Sequence, residues 1–291
     1  MGYNDRTRTA KTARTGMNAP TTTPSPAGTT PFVQRADSDG IAILVLNRPQ
    51  TRNTLSDAML TALTETFGAI AGDKRVRAVI LAANGPAFCA GHDLKEITDH
   101  RSDPDGGRAY VKDLMDRCST LMQNIQRLPQ PVIAAVEGVA TAAGCQLIAT
   151  CDLAVASQTA RFATPGVHIG LFCTTPSVAL SRNVAPKHAM EMLLTGDMIT
   201  AEDACRVGLV NRVVPTGKDR EEALALARKI AAKSMQTIKM GKEAFYRQLD
   251  MSLPEAYRYA SQVMVENMMV RDAEEGISAF VQKRPPTWED R

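Results

Sequence analysis

Apolar positions fall into short unbroken runs that alternate with longer stretches of helical spacing. Ile41–Leu46 is one run, closed by Asn47-Arg48-Pro49, and Ala78–Ala83 is a second, stopped by Asn84-Gly85-Pro86. Val132–Val136 and residues 153–156 are a third and a fourth. Runs of this length without polar alternation fit strands buried on both faces, as in a parallel sheet. After the first run, Ser56 or Asp57 is placed to cap a helix that carries Met59, Leu60, Leu63, Phe67 and Ile70 on one side. A longer helix is predicted over about residues 110–127, with Leu114, Leu121 and Ile125 on one face and Pro129 and Pro131 beyond its end. Past Lys218 the strand pattern stops and helices follow, broken near Lys233-Ser234 and at Pro254. The pattern therefore predicts an α/β fold: βα units over residues 32–217, then a helical C-terminal region over 218–291.

Residues 1–31 stand apart. They are rich in Thr, Ala, Pro and Arg, lack apolar periodicity, and contain Asp5 as their single acid. Such a stretch buries too little surface to offset chain entropy and is predicted to be a disordered leader. Its composition fits either a transit segment or a dispensable leader with Met17 as an alternative start. The corresponding expectation is a mitochondrial protein in a eukaryote and a cytoplasmic one in a bacterium.

Charge and composition narrow the chemistry. The net charge is +3, and the leader residues Arg6, Arg8, Lys11 and Arg14 hold much of the positive excess. Aromatics make up 4%, so neither a basic face nor a base-stacking platform supports nucleic-acid binding. Charged residues interrupt every apolar stretch before it reaches the ~20 residues of a membrane helix, so no membrane span is expected. The six cysteines are scattered singly and the four histidines lack metal-ligand spacing, which argues for buried thiols and against a metal site. No G-x-G-x-x-G follows a strand, so no nicotinamide site is expected either.

Two strand-to-helix junctions are built from unusually small residues. The first, residues 88–96, reads Phe-Cys-Ala-Gly-His-Asp-Leu-Lys-Glu; the second, residues 137–146, reads Glu-Gly-Val-Ala-Thr-Ala-Ala-Gly-Cys-Gln. Small side chains let a ligand approach the backbone, and a helix starting there turns unpaired N–H groups outward. Asp93 with Glu96 also reads as a capping box. Two such junctions after parallel strands suggest a pair of donors for one oxygen anion.

The residues at these junctions resemble the crotonase (enoyl-CoA hydratase/isomerase) superfamily. The matching stretches are Phe88-x-Ala90-Gly91-x-Asp93-Leu94, then Pro131 through Val136 with Gly138 and Ala140, then Gly144-Cys145-x-Leu147 and Cys151-Asp152. Ala160 to Ala163 with Pro165-Gly166, Leu193 to Gly196, Ala204 with Gly208 to Val210, and Phe280 to Arg284 continue the likeness in order. Residues 162–176 resemble the branch of enoyl-CoA hydratase domain-containing proteins, which lack the usual catalytic glutamates. The resemblance implies a crotonase-like spiral of ββα turns with a C-terminal helical trimerisation region, and a homotrimer or dimer of trimers. It implies an acyl-CoA thioester as substrate, with coenzyme A present only as part of it and no tightly bound cofactor. On the motif match, the backbone N–H groups of His92 and Ala143 would flank the thioester oxygen. Arg52, Ala90, Asp93 and Leu94 would border the coenzyme, and Phe280 and Lys283 would reach that of a neighbouring subunit.

The departures from the family pattern bear on the reaction. The two glutamates that serve a hydratase of this family correspond to Gln146 and Gly166. General acid–base catalysis contributes ~10²–10⁴-fold per group, so ordinary hydration is expected to be weak or absent. Candidates for substitute chemistry are His168, Cys173, Thr174 and Thr175, with Glu137 read as a structural acceptor. Three functions stay open: a hydratase/isomerase-type lyase or isomerase with altered chemistry, an acyl-CoA decarboxylase or thioester hydrolase, and a non-catalytic acyl-CoA binder.

Overall fold

A computed structural model describes residues 30–291, so the leader expectation lies almost wholly outside the described residues. Among the described residues, ten strands form two sheets. The larger has the order β1 (Val33–Ser38), β2 (Ile41–Leu46), β3 (Ala78–Ala83), β5 (Val132–Val136), β7 (Leu153–Ser157), β10 (Arg212–Val214). The smaller has the order β4 (Ala87–Cys89), β6 (Val139–Thr141), β8 (Arg161–Ala163), β9 (Ile199–Thr200). The chain passes from β3 to β4, from β5 to β6 and from β7 to β8, each time stepping from the larger sheet to the smaller before entering helix. Those repeated steps make the spiral of ββα turns.

The four apolar runs of the sequence are β2, β3, β5 and β7, the inner strands of the larger sheet and mutually parallel. The expected list lacks β1 and the short strands. β1 pairs antiparallel with β2 through a turn at Asp39 and Gly40, both at positive φ, the geometry of a two-residue hairpin. Its residues VQRADS are mostly polar because it is an edge with only one neighbour. The strands of the smaller sheet are two or three residues long, too short to show a period.

Helix α1 (Asp57–Ala71) is capped by Ser56 and buries Met59, Leu60, Leu63, Phe67 and Ile70, as the spacing predicts. α2 (Leu94–Asp99) and α3 (Arg108–Arg127) follow β4, and α4 (Ala143–Thr150) follows β6. Together with α5 (Thr174–Asn183), α6 (Pro186–Thr195) and α7 (Ala201–Arg206), they enclose the main core between the sheets and helices. Each fully buried Leu or Phe there contributes about 1.5–3 kcal/mol of apolar burial.

After β10 come α8 (Asp219–Ala231), α9 (Met235–Gln248), α10 (Leu253–Met269) and α11 (Arg271–Val281). α8 lies across the outer face of the larger sheet, with Ala223 and Ala227 against Ile41, Ile80, Ile133 and Val155. It therefore covers the sheet rather than standing with the outlying helices, although it begins where the strand pattern ends. α9 is tied to the core by a buried ion pair between Lys242 Nζ and Asp152, 2.7 Å apart. Lys242 also donates to the carbonyls of Ile125 and Gln130, while the Tyr246 hydroxyl donates to Asp152. No described helix is long and apolar enough to cross a membrane.

Candidate active site

The two small-residue junctions meet. Ala90 N–H donates to the Arg52 carbonyl at 3.0 Å and Leu55 N–H to the Gly91 carbonyl at 2.8 Å, seating residues 52–55 beside the end of β4. The Thr141 hydroxyl, at the end of β6, donates to the Ala90 carbonyl at 3.1 Å and ties the second junction to the first. Gly91 (φ +94°) lies so close that a Cβ there would stand 3.0 Å from Ala142 Cβ and 3.5 Å from Ala143 N. Gly144 packs the first turn of α4 onto β4 so tightly that a Cβ would fall 2.1 Å from the Cys89 carbonyl oxygen.

This close seating brings the His92 and Ala143 residues together. Neither backbone N–H has an acceptor among the described residues. Ala143 is the first residue of α4, so its N–H has no partner within the helix. Ala142, before it, holds φ +50° and ψ −119°, a conformation that costs a residue with a Cβ of order 1–3 kcal/mol. It is anchored by its N–H to the Ala163 carbonyl at 3.0 Å. Strain of this kind is sustained where the surrounding structure over-determines the backbone.

Two side chains at the junctions hold buried polar atoms without partners among the described residues. Both ring nitrogens of His92 lack a hydrogen bond, and burial pushes the imidazole below its ordinary pKa and favours its neutral form. Gln146, only 5% exposed, leaves its Oε1 unpaired. A buried unpaired polar atom costs about 1–3 kcal/mol, so three of them on the residues of these junctions is the condition of a site built for a ligand or water. Gln146 and Thr150, one turn apart on α4, form the inner wall of a cleft of about 880 Å³ between α3, α4, α5 and α9.

The other expected residues divide. The Asp93 carboxylate caps α2 by accepting from Lys95 N–H and also takes the Thr54 hydroxyl, while Leu94 is 50% exposed at the start of that helix. The capping box is not closed: Glu96 turns away from residue 93 and accepts from Asp57 N–H and the Tyr110 hydroxyl instead. Arg52 is exposed at positive φ, beside the first junction.

His168 is not aimed into the cleft. Its ring is exposed, with Nε2 2.9 Å from the Thr195 carbonyl, so this nitrogen carries the proton and cannot serve as a base. Thr174 is also exposed and bonds back to the Phe172 carbonyl, while its neighbour Thr175 lines the cleft. Glu137 is exposed at the end of β5 and has no side-chain partner among the described residues, against its reading as a structural acceptor. Phe280, 85% exposed, and Lys283, at positive φ, lie at the end of α11.

Two residues that position the site carry no sequence signal of that role. Asn53 is fully buried at positive φ, donates to the Asn84 and Ala87 carbonyls and accepts from Arg48 N–H. Asn tolerates this backbone region, but nothing in a single sequence marks which Asn needs it. Ala142 is the other, since an alanine gives no hint of a positive φ.

Comparison with known proteins gives the same frame. The Enoyl-CoA hydratase/isomerase family profile matches residues 36–291. The human mitochondrial enoyl-CoA hydratase domain-containing protein 3 is 48% identical over 250 residues, covering 86% of this chain and 81% of that protein. A crystal structure of an enoyl-CoA hydratase from Mycobacterium smegmatis superposes with a TM-score of 0.85 at 53% identity, covering 89% of this chain and 99% of the other. That of the human domain-containing protein 3 gives 0.84 at 48%, covering 88% and 100%. With its spiral of ββα turns and a family match reaching from the first strand to the last residue, the chain belongs to the crotonase, or enoyl-CoA hydratase/isomerase, family.

Proposed function

We propose that this chain binds an acyl-CoA thioester and stabilises its enolate between the backbone N–H groups of His92 and Ala143, with little ordinary hydratase activity. The observation that carries the reading is the close seating of those two acceptor-free amides, set by Gly91 against Ala142 and Ala143. Donors fixed in place before charge develops need no reorganisation, and each is worth roughly 10²–10³-fold in rate. Arg52, Ala90, Asp93 and Leu94 would border the coenzyme, which enters only as part of the substrate. Phe280 and Lys283 would serve a neighbouring subunit's coenzyme from the exposed end of α11.

Proton transfer is the weak step. The Gln146 amide orients a water or substrate oxygen but exchanges no proton near neutrality, and Gly166 has no side chain. A second reading follows from that pair: decarboxylation of a malonyl-type thioester. There the C–C bond to the carboxylate breaks, carbon dioxide leaves, and the electron pair becomes the enolate held by the two amides, which solvent then protonates. This needs the donors and no carboxylate base.

Titration calorimetry with butyryl-CoA tests the site. Saturable binding is expected, and Gly91→Ala should abolish it, because the added Cβ meets Ala142 and requires a left-handed backbone. Unaltered binding by that variant would contradict the placement of the thioester.

A further inference from the structure

The cleft along α4 carries charge that a purely apolar acyl chain would not need. Arg127, Arg182, Lys239 and Arg247 line it against two acids, Glu243 and Asp250. Asp250 stands 3.6 Å from Arg182 and Glu243 3.3 Å from Arg247, so those four charges are matched. Arg127 meets only the Gln123 amide oxygen, at 3.1 Å, and Lys239 has no carboxylate within ion-pair distance among the described residues. Two uncompensated cations thus share one cleft with the unpaired Oε1 of Gln146.

We infer that this cleft takes the far end of the acyl chain and that this end carries a carboxylate, making the substrate a short dicarboxylic acyl-CoA. The inference rests on the thioester placement argued above. Gln146 is three residues along α4 from Ala143 and Thr150 seven, so the inner wall runs from roughly 4.5 to 10.5 Å along the helix axis beyond that amide. A short chain reaches the Gln146 end of that wall. Gln146 itself fits the class: a glutamate there would repel a passing carboxylate, whereas a neutral amide does not. The cations stand at the solvent-facing end of the cleft, where an anion pairs with them without complete desolvation. Residues 52–55 and 90–94, which would border the coenzyme, do not line this cleft, so Arg127 and Lys239 are not placed for its phosphates.

The test compares binding of glutaryl-CoA, valeryl-CoA and free coenzyme A to the full chain and to the Arg127→Gln/Lys239→Gln double variant, at low salt. The first two ligands share a chain length and differ in the terminal charge. The wild type should bind glutaryl-CoA about tenfold more tightly than valeryl-CoA, a preference of the size charge-assisted contacts give. The double variant should lose that preference and keep its affinity for valeryl-CoA and free coenzyme A. A wild type that binds valeryl-CoA equally or better, or a variant that keeps the preference, overturns the inference while leaving acyl-CoA binding standing. A variant weakened equally toward all three ligands places the cations on the coenzyme phosphates and also overturns it. Failure of the wild type to bind either thioester removes the acyl-CoA reading itself.

Discussion

The space that a side chain at position 166 would need is already taken. Gly166 does not have a left-handed φ, but a Cβ there would stand 2.8 Å from the Leu171 carbonyl oxygen and 2.9 Å from Cys173 Sγ. The Cys173 thiol, pushed above its ordinary pKa by burial, fills the position as a packed neutral group. Gly166→Glu is therefore expected to unfold the turn over residues 165–169 rather than to supply an acid, even beside Gln146→Glu; a lowered melting temperature without gained hydration checks this. His168→Ala should leave thioester turnover unchanged and cost about 1 kcal/mol, the worth of one hydrogen bond to the Thr195 carbonyl. A large fall in turnover would restore His168 to the chemistry. Gly144→Ala should destabilise by about 3 kcal/mol, because its Cβ would meet the Cys89 backbone, which cannot swing aside as a flexible side chain does. Denaturant melts measure both losses. At this scale the sequence marked Gln146 and Gly166 by residue type. It did not show that the His168 ring turns to the Thr195 carbonyl, because nearness along the chain does not say which way a ring turns.

Elements were legible where burial on both faces left a continuous apolar run, as in β2, β3, β5 and β7, or a full helical stripe, as in α1. They were illegible where pairing alone makes a strand, as in β4, β6 and β8. The anchoring of α9 was equally silent, since Asp152 and Lys242 are 90 residues apart. Lys242 is 8% and Asp152 14% exposed, and burial holds the lysine below its ordinary pKa against the pull of Asp152. Lys242→Met should cost about 3–5 kcal/mol in a urea melt, because it strands the Asp152 charge. The C-terminal tail offers a pH test. The Arg284 guanidinium, with Thr287 N–H, draws the Glu275 carboxyl down to about 2. A carboxyl lowered by folding stabilises fully above its ordinary value near 4.5, and that contribution is lost as pH falls through the folded value. Trp288, the one tryptophan, donates to the Ala232 carbonyl at 2.9 Å and reports whether the tail is seated. Its emission should shift red between about pH 4.5 and 2, and Glu275→Gln should show that shift at neutral pH. An unshifted variant would contradict the anchoring role.

At the scale of the whole molecule, a single chain leaves much apolar surface on its C-terminal helices. Phe245, Leu249, Leu253, Tyr257, Met264, Met268 and Met269 are all more than half exposed, the last at 77%. Apolar patches of this extent mark contact surfaces. The chain is expected to assemble as a trimer or a dimer of trimers, and light scattering that finds a stable monomer at micromolar concentration would contradict it. The fold follows from the spiral of strands, whereas the proposed chemistry rests on the amides of His92 and Ala143 and on Gln146 and Gly166 in place of carboxylates. Its most direct test is steady-state hydration of crotonyl-CoA, with binding of the same thioester measured on the same protein and a family hydratase carrying both glutamates run in parallel. Binding that saturates, with hydration slower than that of the reference enzyme by at least about 10²-fold, is the predicted result. Hydration as fast as the reference enzyme would contradict it.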